Sequence, residues 1–427
     1  MIKNLKLQNV GPASRMELNF GSRLNVITGD NGLGKSFILD AIWLMIASKW
    51  PAELNPALTS GRKAIPQILQ NAKISISALG KSNPEYNRTA HFEPEAQSWK
   101  FDRGRPGAPA LLIYAMSDGS FAVWDPIRNY WSSPEVDASE KRFTAYVFSA
   151  NEIWNGLPSD EHGGTPCNGL IRDWTSWQGE KNERFDMLMN VLAKLSPSEN
   201  ELLKAGKPTK IDPNDARKIP TVIMPYGQEV PVIHCSSGIR RILSMAYLMV
   251  WAWSEHKDSE KLYGKDSADR IIFLIDEIEA HLHPSWQRKI IPALFGAASQ
   301  LSKDVGTQII LSTHSPLVMA SIEPLFMQQT DAWFDIDLNG RDVQLASREF
   351  IKYGSSDSWL RGQAFDLQST RSIEAEKVIN EANLLMQKSD LSKKEVKDMT
   401  EKLTSILSQE DSYMSRWIYV CTAKGLM

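Results

Sequence analysis

Residues 29 to 36 read Gly29, Asp30, Asn31, Gly32, Leu33, Gly34, Lys35, Ser36, a spacing suited to wrapping a chain of phosphates. Glycines let successive backbone N–H groups turn toward a polyanion, and a helix starting just after them adds the positive end of its dipole. Lys35 would reach the outer phosphate oxygens, Ser36 would ligate Mg²⁺, and Phe37 sits in the first turn of that helix. The run Leu24, Asn25, Val26, Ile27 supplies the strand such a loop must leave. An ordinary glycine-rich turn is the alternative, and the strand–loop–helix setting argues against it.

Two acids close a second apolar run, Ile271 to Ile275. A strand buried on both faces carries its last carboxylates to the carboxyl edge of a sheet, where a phosphate loop also lies. There Asp276 suits Mg²⁺ and Glu277 suits a base that orients and deprotonates an attacking water. The next apolar strand ends in Leu311, Ser312, Thr313, His314, Ser315, Pro316. A lone histidine is most often a packed or surface residue, but His314 at that edge can bridge a γ-phosphate and a water.

A third group, His234, Cys235, Ser236, Ser237, Gly238, Ile239, Arg240, Arg241, precedes an apolar helix. Small polar residues and glycine at a helix start make a second anion site. One chain needs one triphosphate cradle, so Ser236, Ser237 and Gly238 are expected to close over the nucleotide of another copy. A plain N-cap by Ser236 or Ser237 is the simpler alternative.

The elements that must position these residues follow from periodicity. Short strands are expected at Ile2 to Val10, Met16 to Phe20 and Leu24 to Thr28, then a helix from Lys35 to Ser48. Alternation between residues 72 and 131 predicts an antiparallel meander, with a loop at 102–109 where Pro and Gly cluster. Residues 168–205 read as helical, with Trp174 and Trp177 on a core-facing stripe rather than in a ligand box. A helix from Ser237 to His256, a strand Arg270 to Ile275, a helix Pro284 to Leu301 and a strand Gln308 to Leu311 then alternate as in a parallel sheet covered on both faces. Beyond Glu323 a hairpin at Trp333 to Gln344 is followed by two amphipathic helices, Ile373 to Lys388 and a second opened by a Ser392–Glu395 capping box. Their stripes pack on each other or the core, or else dock a partner.

The chain has 427 residues, 42% hydrophobic and 23% charged, with a formal net charge of −3. That allows a large core and gives no global attraction to nucleic acid or anionic membrane. Cys167, Cys235 and Cys421 are far apart and imply neither a disulfide framework nor a zinc site, as in a reducing cytoplasm. No signal peptide is read at the start, and the longest apolar run, Ile242 to Trp253, is too short to cross a bilayer. A soluble cytoplasmic protein without membrane contact is expected.

In this order the motifs resemble the ABC/SMC-type P-loop ATPases of the RecF and OLD groups, over residues 1–325. Glu279, Ala280, His281, Leu282, His283 and Pro284 after the paired acids belong to the same pattern. The resemblance implies an α/β fold: an ABC-type head with a mixed or parallel core sheet, an antiparallel β subdomain at 72–131 and a helical subdomain at 168–256. Residues 326–427 would be a C-terminal hairpin and helical extension that docks a partner. It implies ATP and Mg²⁺ as cofactors, with Lys35 and Ser36 on phosphate and Mg²⁺, Asp276 on Mg²⁺, Glu277 as base and His314 as switch histidine. Ser236 and Gly238 would form the trans signature of a head-to-head homodimer or higher homo-oligomer. The signature departs from the Leu-Ser-Gly-Gly-Gln form, and no glutamine-loop residue stands out beyond the neighbourhood Phe148 to Trp154. No coiled-coil arm interrupts the head. The segment after His314 does not match the nuclease domain of OLD proteins, and Asp335 and Asp337 read as acids flanking a turn, so no nuclease site is expected. Stand-alone ATPase subunits of this kind are similar to those of anti-phage systems such as PARIS and Septu. That implies an effector partner, a nuclease or toxin, and a phage-derived trigger or DNA. A RecF-like ATPase acting directly on DNA and a nucleotide-gated scaffold with little turnover are the alternatives.

Overall fold

The computed structural model describes residues 1–66, 71–80, 85–102, 110–129, 143–158, 164–265, 268–365, 367, 369–388 and 391–426. Of the expected loop at 102–109, residues 103–109 lie outside them. The chain forms two compact units, Met1–Ser356 and Asp357–Met427.

In the first unit, β1 (Ile2–Gln8), β2 (Arg15–Asn19) and β3 (Leu24–Gly29) precede β4 (Lys73–Leu79), β5 (Glu85–Glu93) and β6 (Ser98–Phe101). Next come β7 (Leu111–Ala115), β8 (Phe121–Trp124) and β9 (Tyr146–Phe148), then three short strands, β10 (Lys204–Ala205), β11 (Thr221–Ile223) and β12 (Glu229–Pro231). The last four are β13 (Arg270–Ile275), β14 (Gly306–Ser312), β15 (Ala332–Asn339) and β16 (Asp342–Arg348). An eight-stranded sheet runs in the order β16-β15-β3-β14-β13-β7-β8-β9. Every pairing from β15 to β7 is parallel, and β16, β8 and β9 are antiparallel edges. Strands β3 and β13 are buried almost throughout, as a parallel sheet covered on both faces requires.

A five-stranded antiparallel sheet, β2-β1-β4-β5-β6, forms a second layer. The helix Lys35–Ala47 packs against both sheets, since one apolar cluster joins Leu5 and Ile74, Ile42 and Trp43, and Leu274 and Ile310. A helix with partners on both sides is apolar all round, and from Ile38 to Ala47 every residue is buried. Helices Leu170–Glu180, Glu183–Leu195, Ser237–Tyr263 and Ile290–Leu301 make up the helical part. Within it, Trp286 Nε1 donates to the Leu195 carbonyl at 2.8 Å and Arg184 pairs with Glu255 and Asp258. The α/β class and the three-part head thus match expectation.

Three sequence expectations are corrected. The alternating segment 72–131 is not one meander: β4 to β6 join β1 and β2, whereas β7 and β8 enter the core sheet beside β13. The region 168–205 is broken at Lys181, whose φ is +51°, and Asn182 caps a new helix by accepting the Phe185 N–H at 3.1 Å. The hairpin beyond residue 325 belongs to the first unit, because the buried Trp333, Phe334 and Ile336 carry β15 alongside β3 in parallel register. The expected boundary at 325 therefore falls inside that unit.

The second unit contains helices Ile373–Met386, Lys393–Ile406 and Ser412–Ala423. Val378 and Ala382 of the first, Val396 and Leu403 of the second, and Trp417 and Cys421 of the third form one core. The two stripes seen in sequence therefore bury each other, and the third helix, not foreseen, completes the core. Among the described residues, no helix is long and apolar enough to cross a membrane.

Candidate nucleotide site

Strand β3 delivers the loop 29–36 to the carboxyl edge of the sheet. Gly29, Gly32 and Gly34 have φ of +135°, +79° and +94°, a region other residues enter at a cost. At Gly29 a Cβ would also lie 2.2 Å from the Ile336 carbonyl oxygen, so β15 helps to shape the loop. Leu33 is buried in the apolar core and anchors the turn. Asp30, Asn31, Gly32 and Ser36 are exposed around it. Gly34 starts the helix Lys35–Ala47 with no side chain capping its first N–H groups. These unclaimed donors, with the Ser36 hydroxyl beside them, fit a polyphosphate and its Mg²⁺. The Phe37 ring stacks on Trp50, centroids 6.4 Å apart, so Phe37 offers the loop its backbone N–H rather than its side chain.

Lys35 is buried, and its ammonium donates to the carbonyls of Gly29 at 2.8 Å and Asp30 at 2.7 Å. Burial pushes its pKa down, while the carboxylates of Asp276, Glu277, Asp30 and Glu279 pull it back. The cation thus faces the acids at the end of β13, as the parallel register of β3, β14 and β13 requires.

Ser312, at the end of the intervening strand, ties those acids together. Its hydroxyl donates to Asp276 Oδ1 at 2.6 Å and accepts the Glu277 N–H at 2.8 Å. Asp276 is fully buried and its own N–H donates to the Ala115 carbonyl at 2.8 Å. Glu277 has a φ of +48°, a left-handed conformation that costs a non-glycine residue free energy and recurs where function holds a side chain in place. One hydroxyl therefore holds the buried Asp276 carboxylate and the backbone of the half-buried Glu277 together.

Glu279 binds the two strand ends from the other side. It accepts the Thr313 hydroxyl at 2.8 Å and the His314 N–H. Burial raises its pKa against those hydrogen bonds. His314 is partly buried, and burial first, then the Lys35 charge, lowers its pKa, so its ring is neutral at pH 7 with one donor and one acceptor. Lys35, Asp276, Glu277 and His314 are thus brought to one sheet edge, as the sequence predicts.

The helix Ser237–Tyr263 begins differently. Ser236 caps it by accepting the Ile239 N–H at 3.4 Å, the simpler of the two readings, and both Ser236 and Ser237 remain exposed. Gly238 has a steric role: a Cβ there would lie 2.6 Å from the His281 carbonyl oxygen. Three residues further on, Arg241 extends its guanidinium to the carbonyls of Met116, Ser117, Asp276 and Glu277. Sequence reasoning missed both this arginine and the role of Glu279. The signal for Glu279 was an acid three residues after Asp276, and for Arg241 a cation one turn into an apolar helix. The neighbourhood of Phe148 to Trp154 forms β9 and a helix whose Ser149–Glu152 capping box satisfies itself, and it supplies no glutamine. Asp335 does not flank a turn; it is buried in β15, where it accepts the Thr28 hydroxyl at 2.8 Å and pairs with Arg348.

The chain is similar to several known proteins. Residues 24–320 match the family model described as "AAA domain, putative AbiEii toxin, Type IV TA system". The Septu protein PtuA of Bacillus thuringiensis is 22% identical over 350 residues, spanning 74% of this chain and 72% of that protein. The "Retron Vc95 probable ATPase" of Vibrio cholerae serotype O1 biovar El Tor is 26% identical over 387 residues, 75% and 71% of the two chains. Among solved structures, the SMC head domain from Thermotoga maritima aligns at 13% identity with a TM-score of 0.40, covering 82% of this chain and 99% of that one.

Proposed function

Because the chain belongs to the family described as "AAA domain, putative AbiEii toxin, Type IV TA system", we propose that it is a Mg²⁺-dependent ATPase that pairs through ATP with a second copy and controls a separate effector in anti-phage defence. The observation that carries the hydrolytic part is the Ser312 hydroxyl holding Asp276 and Glu277 in one arrangement. Magnesium with ATP would neutralise phosphate charge and open the γ-phosphorus to attack. Asp276 and Ser36 are the residues to hold the metal, and the loop 29–36 with the Phe37 N–H is the cradle. Lys35 would exchange its two carbonyl partners for phosphate oxygens. Glu277 would take the proton of the attacking water, and His314 would hold that water through the acceptor on its neutral ring.

Pairing of heads is supported by the exposed Ser236 and Ser237 at the start of a 27-residue helix, a place where a partner's phosphate can be met. The defence assignment rests on the likeness to a Septu protein and a retron ATPase. The effector, a nuclease or toxin, would dock on the second unit, where Ile373, Leu384 and Tyr419 are exposed. Its trigger would be phage-derived, a protein or DNA.

The test is Glu277→Gln in the full chain. ATP binding should persist, hydrolysis should fall by at least a hundredfold, on the order expected for removing a general base, and a dimer should accumulate in ATP. Hydrolysis at the wild-type rate would sink the assignment of Glu277.

A further inference from the structure

The five-stranded antiparallel sheet buries one face in the apolar core and leaves the other to solvent, as the alternation along β4 shows. Across that outer face the strand register sets five residues side by side: Arg15 of β2, Gln8 of β1, Lys73 of β4, His91 of β5 and Lys100 of β6. Neighbouring strands lie about 4.8 Å apart, so the row spans about 19 Å, with a cation or an imidazole on all of its strands but one. Where the row meets the turn between β1 and β2, a cavity of about 410 Å³ is lined by Lys6, Gln8, Ser14, Arg15, Lys73 and Ser75. Each of these six side chains can donate a hydrogen bond, and no acid lines the cavity.

The acids beside this row do not close it. Glu17 meets Lys6 at 3.0 Å and Arg15 at 3.2 Å, Asp102 faces His91 at 3.3 Å, and Glu93 pairs with Lys100. Arg15 is 76% exposed and Lys100 64%, and pairs so exposed are worth little, so a phosphate can replace the carboxylate. Lys73, at the centre of the row, has Gln8 and His91 as its cross-strand neighbours and pairs with no acid among the described residues. Elsewhere the same face carries short donors, Asn4, Ser77 and Thr89. Phe92, Trp99 and the Tyr86 hydroxyl are turned inward and Phe101 is covered by Arg88, so these strands offer no platform on which bases could stack. Cations with small hydroxyl and amide donors are the set that holds phosphate and sugar. The net charge of −3 does not oppose this, because charges more than about 8 Å away are largely screened at physiological salt.

We propose that this face seats the phosphate backbone of a nucleic-acid duplex, with the row from Arg15 to Lys100 along its phosphates and the cavity at Lys73 holding one of them. A duplex keeps its bases stacked within and its phosphates outside, so such binding needs no aromatic platform and reads no sequence. DNA and RNA duplexes both present that backbone. The site also touches the phosphate loop: a Cβ at Gly34 would lie 2.7 Å from the Pro12 ring, and one at Gly11 would lie 2.5 Å from the Phe37 ring. The turn between β1 and β2 therefore rests on the loop 29–36 and the helix after it, and a duplex held at Ser14 and Arg15 bears on ATP turnover. That coupling rests on the ATPase reading above; the binding does not.

The test is fluorescence anisotropy of a labelled DNA duplex of about twenty base pairs, the RNA duplex of the same sequence and the single DNA strand, a length several times the row. Each is titrated with the full-length Lys35→Ala chain over a series of salt concentrations, so that binding is read apart from ATP. Saturable duplex binding is expected, independent of sequence, with an affinity that falls linearly against salt on logarithmic axes. Lys73→Glu and Arg15→Glu, each checked for an unchanged melting curve, should weaken it about tenfold and reduce the salt slope by about 1. Lys397→Glu, the same charge change on an exposed lysine of the second unit, should leave it as it was. The tighter of the two duplexes identifies the source as DNA or RNA. In the wild-type chain that duplex should raise the rate of ATP hydrolysis, and in Lys73→Glu it should not; an unchanged wild-type rate overturns the coupling, whereas no hydrolysis at all counts against the ATPase reading alone. The proposal is overturned if neither duplex saturates, if the single strand binds more tightly than both, or if Lys397→Glu weakens binding as much as Lys73→Glu.

Discussion

Arg241 Nη2 lies 3.2 Å from the carbonyl oxygen of Asp276, which ties the helix capped by Ser236 directly to the strand end bearing Asp276 and Glu277. Lysine keeps the charge but loses the planar fork that serves several carbonyls at once. Arg241→Lys should therefore lower kcat about tenfold or more, with ATP affinity nearly unchanged, since a lost buried hydrogen bond is worth about 1–3 kcal/mol and 1.4 kcal/mol is tenfold in rate. Steady-state ATP hydrolysis with a separate binding isotherm checks it; a change confined to KM would contradict the positioning role.

Ser312→Ala removes the hydroxyl that serves Asp276 and Glu277 together. The Glu277 N–H loses its acceptor and the strained φ of +48° loses its support. We expect hydrolysis to fall by about ten- to a hundredfold, from the same scale of about 1–3 kcal/mol. Ser312→Thr, which retains the hydroxyl, should recover part of it. Equal rates in the alanine and wild-type chains would show that the bridge does not matter.

Asp40 lies on the helix after the phosphate loop and accepts the Tyr114 hydroxyl at 2.9 Å. Burial raises its pKa from 3.8 to about 7. The folded state then holds a proton that the unfolded state releases near 3.8, so this stability is full below pH 3.8 and is lost as pH rises through about 7. Asp40→Asn keeps an acceptor for Tyr114 and cannot ionise. Its melting temperature should exceed that of the wild type at pH 8 and lose that advantage at pH 4; parallel pH profiles for the two chains would refute the shift.

Ser236 and Gly238 should separate in a pair of variants. Ser236→Ala loses a helix cap, about 1 kcal/mol, and if the serine also meets a partner's phosphate, ATP-dependent dimerisation should fall far more than stability. Gly238→Ala forces a Cβ to within 2.6 Å of a backbone oxygen and should cost about 1–3 kcal/mol through overpacking. Sedimentation with ATP and thermal melting read the two effects. Full dimerisation by Ser236→Ala would leave the serine as a cap only.

Leu403 has no exposed surface in the core of the second unit. Leu403→Ala should destabilise that unit by about 2–5 kcal/mol and raise its proteolytic sensitivity. Protease resistance equal to wild type would contradict the packing described.

The phosphate loop, the acids after β13 and the histidine after β14 were legible because each is a contiguous string whose chemistry depends on its own spacing and on the strand it ends. Burial on both faces makes such strands apolar throughout, and that pattern is visible without knowing their neighbours. The strands β7 and β8 were misplaced because they follow the alternating β4 to β6 directly in the chain, although they are buried at every position where β4 is buried at every second one. Nothing local tells a strand whether Ile74 faces Leu7 of β1 or Leu112 faces Ile272 of β13.

The sequence by itself determined the loop that can cradle phosphates, the carboxylates, the histidine and the parallel sheet that collects them at one edge. Only the tertiary structure decided that Ser312 joins Asp276 to Glu277, that Glu279 clasps His314, that Arg241 spans from its helix to the same edge, and that the hairpin β15–β16 completes the sheet. The first set follows from residues adjacent in the chain. The second consists of hydrogen bonds between residues dozens to hundreds of positions apart, and which donors meet which acceptors there is settled by the burial of the whole core.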